Sequence, residues 1–370
     1  GYKRALKGLS LFSNDISWSA LAGNLDYKAN TGVRDSSLYQ KYLGKSAIDS
    51  TAASAYYSGS FEDSVRVSTT ENSYYRFNVN HVKWMILQLE AYPRQSVLDW
   101  AKSVLSQHPD DNVIFTTSEY IGADGNYSVS DPAGYGGGVS TADIWNTLKS
   151  FGNIKMILCS GAGNGTGAVA MKTESNADGG SVPVFAISAA DVDDNYYTYK
   201  PLGMLGIMRI SGDGKKMALQ YYSPSLKKSF SPEYGGVSDS NRHTVQLDVK
   251  SCSHTAADGT SMLVMVNENA ATKITNGYTG DMYCPECEKL ISVGSFVKAN
   301  SASFDNGSIT NGGTNDGKNN TNGSSQNKSQ SNNSPKTGDM ANPAVWFTAL
   351  IVSASAVYII GRRRTKNGRR

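Results

Sequence analysis

Imidazole and thiol are scarce in this chain, with four histidines and four cysteines among 370 residues. Four cysteines are too few for a disulfide framework in a chain this long. An excess of one charge is also lacking. The count is 35 basic against 32 acidic residues, and Arg362, Arg363, Arg364, Lys366, Arg369 and Arg370 all fall in the last nine positions. Taking these six and Asp339 away leaves 29 against 31. The basic excess therefore belongs to the tail and implies no nucleic-acid partner. No secretory signal peptide opens the sequence at Gly1. Because the opposite end carries the pattern of an exported, anchored protein, upstream residues are expected.

What the chain does have is a clear strand, helix, strand unit from Val82 to Tyr120. VKWMILQLE is a near-continuous apolar run, the pattern of a strand covered on both faces. From Ser96 the period changes. Val97, Trp100, Ala101, Val104 and Leu105 stand three and four apart, one stripe of a helix that His108 and Pro109 stop. Asn112 to Thr117 reads as a second buried strand. The loop at its carboxyl end, Thr117-Ser118-Glu119-Tyr120, lies where open α/β sheets place their ligands. Upstream, TGVRDSSLYQKYLG reads as loop and helix, Tyr75 to Val79 as a strand, and Asn80-His81 as a turn. Downstream, Ser140-Thr141-Ala142-Asp143 caps a helix, IWNTLKSF. Further strands are expected at Ile154 to Cys159, Val182 to Ile187, Met204 to Ile210 and Met217 to Tyr222. Alternating strands and helices followed by a run of strands predict a layered α/β sandwich.

The order and spacing of AGNLDY, RDSSLYQKYLG, NSYYRFNVNHVKWMILQLE, PRQSVLDWAKSVLSQHPDDNVI, TSEY, the strand into LCSGAG, and YSP carry a resemblance. From about Lys7 to Ser229 the chain resembles the carboxyl-terminal two thirds of a calcineurin-like metallophosphoesterase. That resemblance implies part of a four-layer α/β/β/α sandwich. It also implies two divalent metal ions at the carboxyl ends of strands and a metal-bound hydroxide that attacks a phosphoester. Carried over position by position, Asn24 of Gly23-Asn24-Leu25-Asp26 stands where the family has a metal ligand. Leu25 stands where it has a proton-donating His. Ser118 replaces a metal-ligating His after Thr117, and Gly161 and Gly163 replace the two imidazoles of a Gly-His-x-His loop. The family's Asp-x-His and Gly-Asp motifs would precede Gly1. The expectation is a retained scaffold that has lost two-metal hydrolysis and acts by binding. The alternative is an active metal-dependent phosphoesterase for a mono- or diester, with Ser118, Glu119 and Asp26 rebuilding a one-metal site beside Asn24.

Two other features have plainer readings. GAGNGTGAVA follows a strand and could cradle phosphate with backbone N–H groups, but a dinucleotide fingerprint wants Gly where Thr166 stands. Cys159, a lone thiol at the end of a buried strand, reads as a packed core residue.

From about His243 the chain changes character. Cys252-Ser253-His254 and Cys284-Pro285-Glu286-Cys287 offer four soft or borderline donors in two close pairs, each able to clasp one face of a tetrahedral ion. The segment is also similar to a small Cys/His β-module of clostridial-type surface proteins that carries GYTGD and the Cys pair. Structural Zn²⁺ on Cys252, His254, Cys284 and Cys287 is one reading. A disulfide from Cys252 to Cys284 or Cys287 is the other.

Past Ala299 the composition becomes Asn, Ser, Gly and Thr, which cannot repay ordering entropy and reads as a flexible linker. Ser334-Pro335-Lys336-Thr337-Gly338 follows, then an apolar run over 344–361, then three arginines. This resembles the cell-wall sorting signal of Gram-positive surface proteins, with Ser-Pro in place of the commoner Leu-Pro. About 18 apolar residues at about 1.5 Å each match the hydrocarbon thickness of a bilayer as a transmembrane helix, and the arginines hold its end inside. The resemblance implies cleavage by a sortase between Thr337 and Gly338 and transfer to a peptidoglycan amine. A permanent single-span anchor is the other reading. The expected organisation is thus a partial phosphoesterase-like domain over 1–229, a Cys/His module over 230–298, a linker over 299–333 and a sorting signal over 334–370. Its partners would be a sortase, peptidoglycan and a surface ligand or phosphoester met outside the cell, by the large domain or by the small module.

Overall fold

The structure is a computed structural model. It describes the chain except residues 1, 12–15, 28–33, 65–66, 68, 123, 129–132, 134–135, 161–168, 188–204, 225–226, 231–242, 300–346, 353–355 and 361–370. The expected linker over 299–333 lies almost wholly outside the described residues, as do Gly161, Gly163 and the sorting pentapeptide Ser334 to Gly338.

The chain opens with three short helices, α1 (Tyr2–Leu9), α2 (Ser37–Leu43) and α3 (Lys45–Asp49). Strands β1 (Tyr57–Ser60), β2 (Ser73–Val79) and β3 (Val82–Leu89) follow, then helix α4 (Gln95–Gln107), β4 (Asn112–Thr117), α5 (Thr141–Leu148) and β5 (Ile154–Cys159). Next come β6 (Val169–Ser175) and β7 (Ser181–Ile187). These strands make one seven-stranded sheet in the order β1-β2-β3-β4-β5-β7-β6. The β3, β4, β5 and β7 pairings are parallel, and the edges are antiparallel. A second sheet holds β8 (Leu205–Ile210), β9 (Lys216–Ser223), β10 (Lys228–Phe230) and β11 (His243–Gln246), the last pairing with β9. The result is mixed α/β with a large mixed sheet.

The alternation along β3 explains why its sequence is apolar throughout. Met85, Leu87 and Leu89 pack with Val97, Leu98, Ala101, Val104 and Leu105 of α4 and with Ile144, Trp145 and Leu148 of α5. Trp84 and Ile86 point the other way, into a core shared with Met208, Ile210, Met217 and Leu219 of the second sheet. Ile114, Met156 and Leu158 join them there, while Val113, Phe115 and Ile157 face the helices. Each strand is thus covered on both faces, and a residue that alternates in direction still finds apolar surroundings. Each fully buried large side chain contributes about 1.5–3 kcal/mol. Helix α5 begins where the sequence places its cap: the Ser140 hydroxyl accepts from the Asp143 N–H at 3.2 Å. Three layers are thus in place among the described residues, helices, sheet and sheet; an outer helical layer on the second sheet is not among them.

The transmembrane helix expected over 344–361 is not found. Phe347–Val352 forms β17, paired antiparallel with β8, and Ala356–Ile360 forms β18 beside it. Among the described residues no helix is long and apolar enough to cross a membrane. Length, apolarity and the arginines that follow favoured a span, but the run also holds three Val and three Ile, which suit strands, and Phe347–Val352 pairs with β8.

The chain divides into two compact units. The first takes in Gly1–Leu263, Cys284–Lys289 and Ala344–Arg370. The second comprises Val264–Tyr283 and Leu290–Pro343. Within the second, β12 (Val264–Val266) pairs with the start of β14 (Asp281–Cys284), and β13 (Gly277–Tyr278) pairs with β16 (Phe296–Val297). The remaining strand, β15 (Lys289–Ser292), lies on the other side of β14.

Candidate functional site

Parallel strands that end together leave a rim of loops, and here the rim is formed after Leu89, Thr117 and Cys159. Asn24 reaches it from a 3-10 turn, Asn24–Asp26, whose Gly23 N–H donates to the Asp26 carboxylate at 2.7 Å. The Asn24 amide donates to Glu119 Oε1 at 3.0 Å. Glu119 is only 5 % exposed, its other oxygen has no hydrogen-bond partner, and burial pushes its carboxyl up to about 7. Next to it, the Ser118 and Ser160 hydroxyls lie 3.3 Å apart, and Ser160 donates to the Ser118 carbonyl from both its N–H, at 3.0 Å, and its hydroxyl, at 2.6 Å. Asp26 is occupied, bonded also by the Tyr2 hydroxyl. Asn24, Ser118 and Glu119 are therefore brought together. The Leu25 side chain, Gly161 and Gly163 lie outside the described residues. Cys159 is buried with its thiol toward the Phe185 carbonyl at 3.7 Å, a packed core residue as expected.

None of the four histidines stands at this rim. His81 sits in the β2–β3 turn, His108 after α4, His243 at the start of β11, and His254 among the cysteines. Among the described residues the rim thus offers hydroxyls, one amide that already has a partner and one carboxyl that burial keeps largely protonated below neutrality. Divalent transition metals at paired sites want several nitrogen or carboxylate donors, so this set suits hydrogen bonding better than two-metal chemistry.

Behind the rim lies a charged cluster that sequence reading missed. Glu90 is fully buried and accepts from Arg94 N–H, Nε and Nη2 at 3.1, 2.8 and 3.2 Å and from Asn72 Nδ2 at 3.1 Å. Arg34 Nη1 stands 3.4 Å away and also donates to the Ala91 carbonyl at 2.7 Å. Burial alone would raise the Glu90 carboxyl, but the charges and N–H groups of Arg34 and Arg94 outweigh it and hold it low. The available signal was a carboxylate ending an eight-residue apolar strand. Gly138 completes the cluster's wall. A Cβ there would meet the Tyr92 carbonyl oxygen at 2.2 Å and Arg34 Nη2 at 2.7 Å, and its φ of +139° already favours glycine.

The second candidate lies at the opposite, amino-terminal end of the parallel strands, about 17 Å away along β4 at about 3.3 Å per residue. The Sγ atoms of Cys252, Cys284 and Cys287 and a ring nitrogen of His254 all lie within 4.8 Å of one another. Cys287 Sγ is 3.7 Å from His254 Nδ1. Donors at about 2.3 Å and 2.0–2.1 Å from a tetrahedral ion would be about 3.6 Å apart, so the spacing fits. All four cysteines are free thiols, so the disulfide reading finds no support in this geometry. Burial and the neighbouring Cys284 push the Cys287 thiol up to about 12. Burial also raises Cys252, with the His254 backbone and the Lys83 charge pulling against it. For Cys284 burial is outweighed by N–H donors of its own loop, and the thiol is lowered. The group can hold a metal ion, which would displace the thiol protons on binding.

No family model matches the chain, and no curated protein or solved structure does either.

Proposed function

We propose that this is a surface-displayed binding protein of a Gram-positive cell, built on a calcineurin-like phosphoesterase scaffold that has given up two-metal hydrolysis. The observation that carries the reading is the Asn24–Glu119 bond at 3.0 Å with Ser118 and Ser160 beside it. Asn24 spends its amide on a protein carboxyl, and the neighbouring positions hold hydroxyls where a dinuclear centre needs imidazoles. Binding of a surface ligand is the function left to such a rim. The test is a metal-dependent phosphodiesterase assay on the full chain, with Mn²⁺, Zn²⁺, Fe²⁺ or Mg²⁺ added in turn, where no turnover above the metal blank is expected.

A second reading is favoured by one observation, the unpartnered Glu119 oxygen beside Asn24. Asn24, Ser118 and Glu119 would then hold a single metal ion and hydrolyse a phosphoester, with Asp26 excluded by its bonds to Tyr2 and Gly23. Turnover lost on Asn24→Ala would establish it.

The sequence order Ser334-Pro335-Lys336-Thr337-Gly338, apolar run, arginines supports attachment to peptidoglycan by a sortase through Thr337. Of the apolar run, Phe347–Val352 pairs with β8 and Ala356–Ile360 with Phe347–Val352. During export, in a bilayer that offers no such partner, the run would have to close its hydrogen bonds within itself. The four-donor group at Cys252, His254, Cys284 and Cys287 supports a structural zinc ion, since three thiolates and one imidazole are a zinc set and leave no open position for chemistry.

A further inference from the structure

The two ligand pairs come from segments that have no regular structure binding them to one another, yet both are tied to the same end of the large sheet. Between Cys284 and Cys287, the Glu286 carbonyl accepts from Asn78 Nδ2 of β2 at 2.6 Å. The Glu286 carboxylate meets Arg76 Nη2 at 3.2 Å and Lys83 Nζ at 3.7 Å. The Cys287 carbonyl lies 3.1 Å from His81 Nδ1, in the two-residue turn joining β2 to β3. That turn has positive φ at both Asn80 and His81, 47° and 67°, and Val79 faces Val82 across it. This is the tight hairpin geometry whose twist matches the strands, so it presents the ring from a fixed place.

The other pair is held from the start of β4. Asn112 Nδ2 donates to the Lys250 carbonyl at 3.0 Å, and Lys250 N–H returns a bond to Asn112 Oδ1 at 2.6 Å. The Ser253 N–H, between the two ligands Cys252 and His254, donates to Asp110 at 3.1 Å. Buried Asp111 then links the two anchor points, bonded to Arg76 Nε at 2.5 Å and standing 3.5 Å from Lys83 Nζ.

Zn²⁺ with three thiolates and a neutral imidazole carries one net negative charge. Beside it lie Lys83, 6 % exposed, and half-buried Arg76, whose two charges are matched by those of Asp111 and Glu286. Mutating groups that hold metal ligands in place typically costs about 10–100-fold in metal affinity.

We propose that Arg76, Asn78, His81 and Lys83 of the β2–β3 hairpin are positioning residues of the metal centre, and that bound zinc in turn clamps the Cys252–His254 and Cys284–Cys287 segments to the amino-terminal edge of the large sheet. This rests on the zinc reading above. The hairpin holds the loop in the register its thiolates need, and the metal prevents both segments from leaving the sheet.

The test uses the full chain, with zinc content measured by a colorimetric chelator after thiol modification and backbone hydrogen exchange followed by mass spectrometry with and without zinc. One zinc per chain is expected. Its removal should speed exchange in peptides covering 76–83 and 108–112 as well as in the ligand segments. Asn78→Ala and Glu286→Gln should each keep one zinc at saturation but weaken its affinity, in competition with a chelator, by about tenfold or more. If zinc binds but exchange over 76–83 and 108–112 does not change on its removal, or both variants keep the parent affinity, the clamp is overturned and the metal site stands. If the chain takes up no zinc, the metal reading itself fails and the clamp with it.

Discussion

Asn24 and Glu119, 95 residues apart in sequence, meet at 3.0 Å at the carboxyl end of β4. The bond places an amide and a buried carboxyl where the sequence resemblance puts metal chemistry. Asn24 loses a free donor, and Glu119 stays in surroundings that disfavour its charge.

Glu119 makes a pH prediction of definite sign. Its carboxyl is raised in the folded chain to about 7 from the ordinary value near 4.5. The folded state therefore keeps a proton that the unfolded state has lost between those values, and stability should fall as pH rises through that window. The contribution is on the order of 3 kcal/mol. In urea titrations from pH 4 to 8, Glu119→Gln should flatten this part of the profile and be the more stable protein above pH 7. An unchanged profile would contradict the burial argument.

Glu90 should behave in the opposite way. Held low by Arg34 and Arg94, it contributes stability above the ordinary carboxylate range that is lost as acid protonates it. Glu90→Gln leaves two guanidinium groups facing a neutral amide and should destabilise by about 3–5 kcal/mol at neutral pH, read from the urea midpoint. A loss below about 1 kcal/mol would mean that the cluster holds without the charge.

The thiols give a direct check on the small site. Chain purified without reductant and denatured with a thiol reagent and chelator should titrate four cysteines. Two would point to a disulfide, as Cys252 to Cys284 or Cys287 would give.

Wall attachment predicts a carboxyl terminus. Protein released from the cell wall by a muralytic enzyme should end at Thr337 joined to a wall peptide, by mass spectrometry. A cell-associated species that still carries 338–370 would place the chain in the membrane instead.

Much of the scaffold was legible because its signals are local. β4 and β5 match their expected bounds, and β3 and α4 lie within one residue of theirs, since long apolar runs and a period of 3.6 leave few alternatives. The Cys/His group was legible for a similar reason, its ligands lying two and three residues apart. β1 and β6 were missed. YSGS has little side-chain pattern, and Val169–Ser175 follows a glycine-rich stretch that suggests a loop. Over 344–361 the described residues form two paired strands instead of the expected helix, because an apolar run does not by itself tell a span from a strand. Asn24–Glu119 and Arg34–Glu90 were out of reach for another reason. They join residues 95 and 56 apart, and only the sheet's topology determines that they meet.

The central claim is that the scaffold has lost phosphoester hydrolysis by metals, and the most direct measurement is turnover of bis(p-nitrophenyl) phosphate by the full chain with each divalent metal. The account predicts rates no higher than the metal blank, equal for the parent chain and Asn24→Ala. Robust metal-dependent turnover that Asn24→Ala abolishes would contradict it.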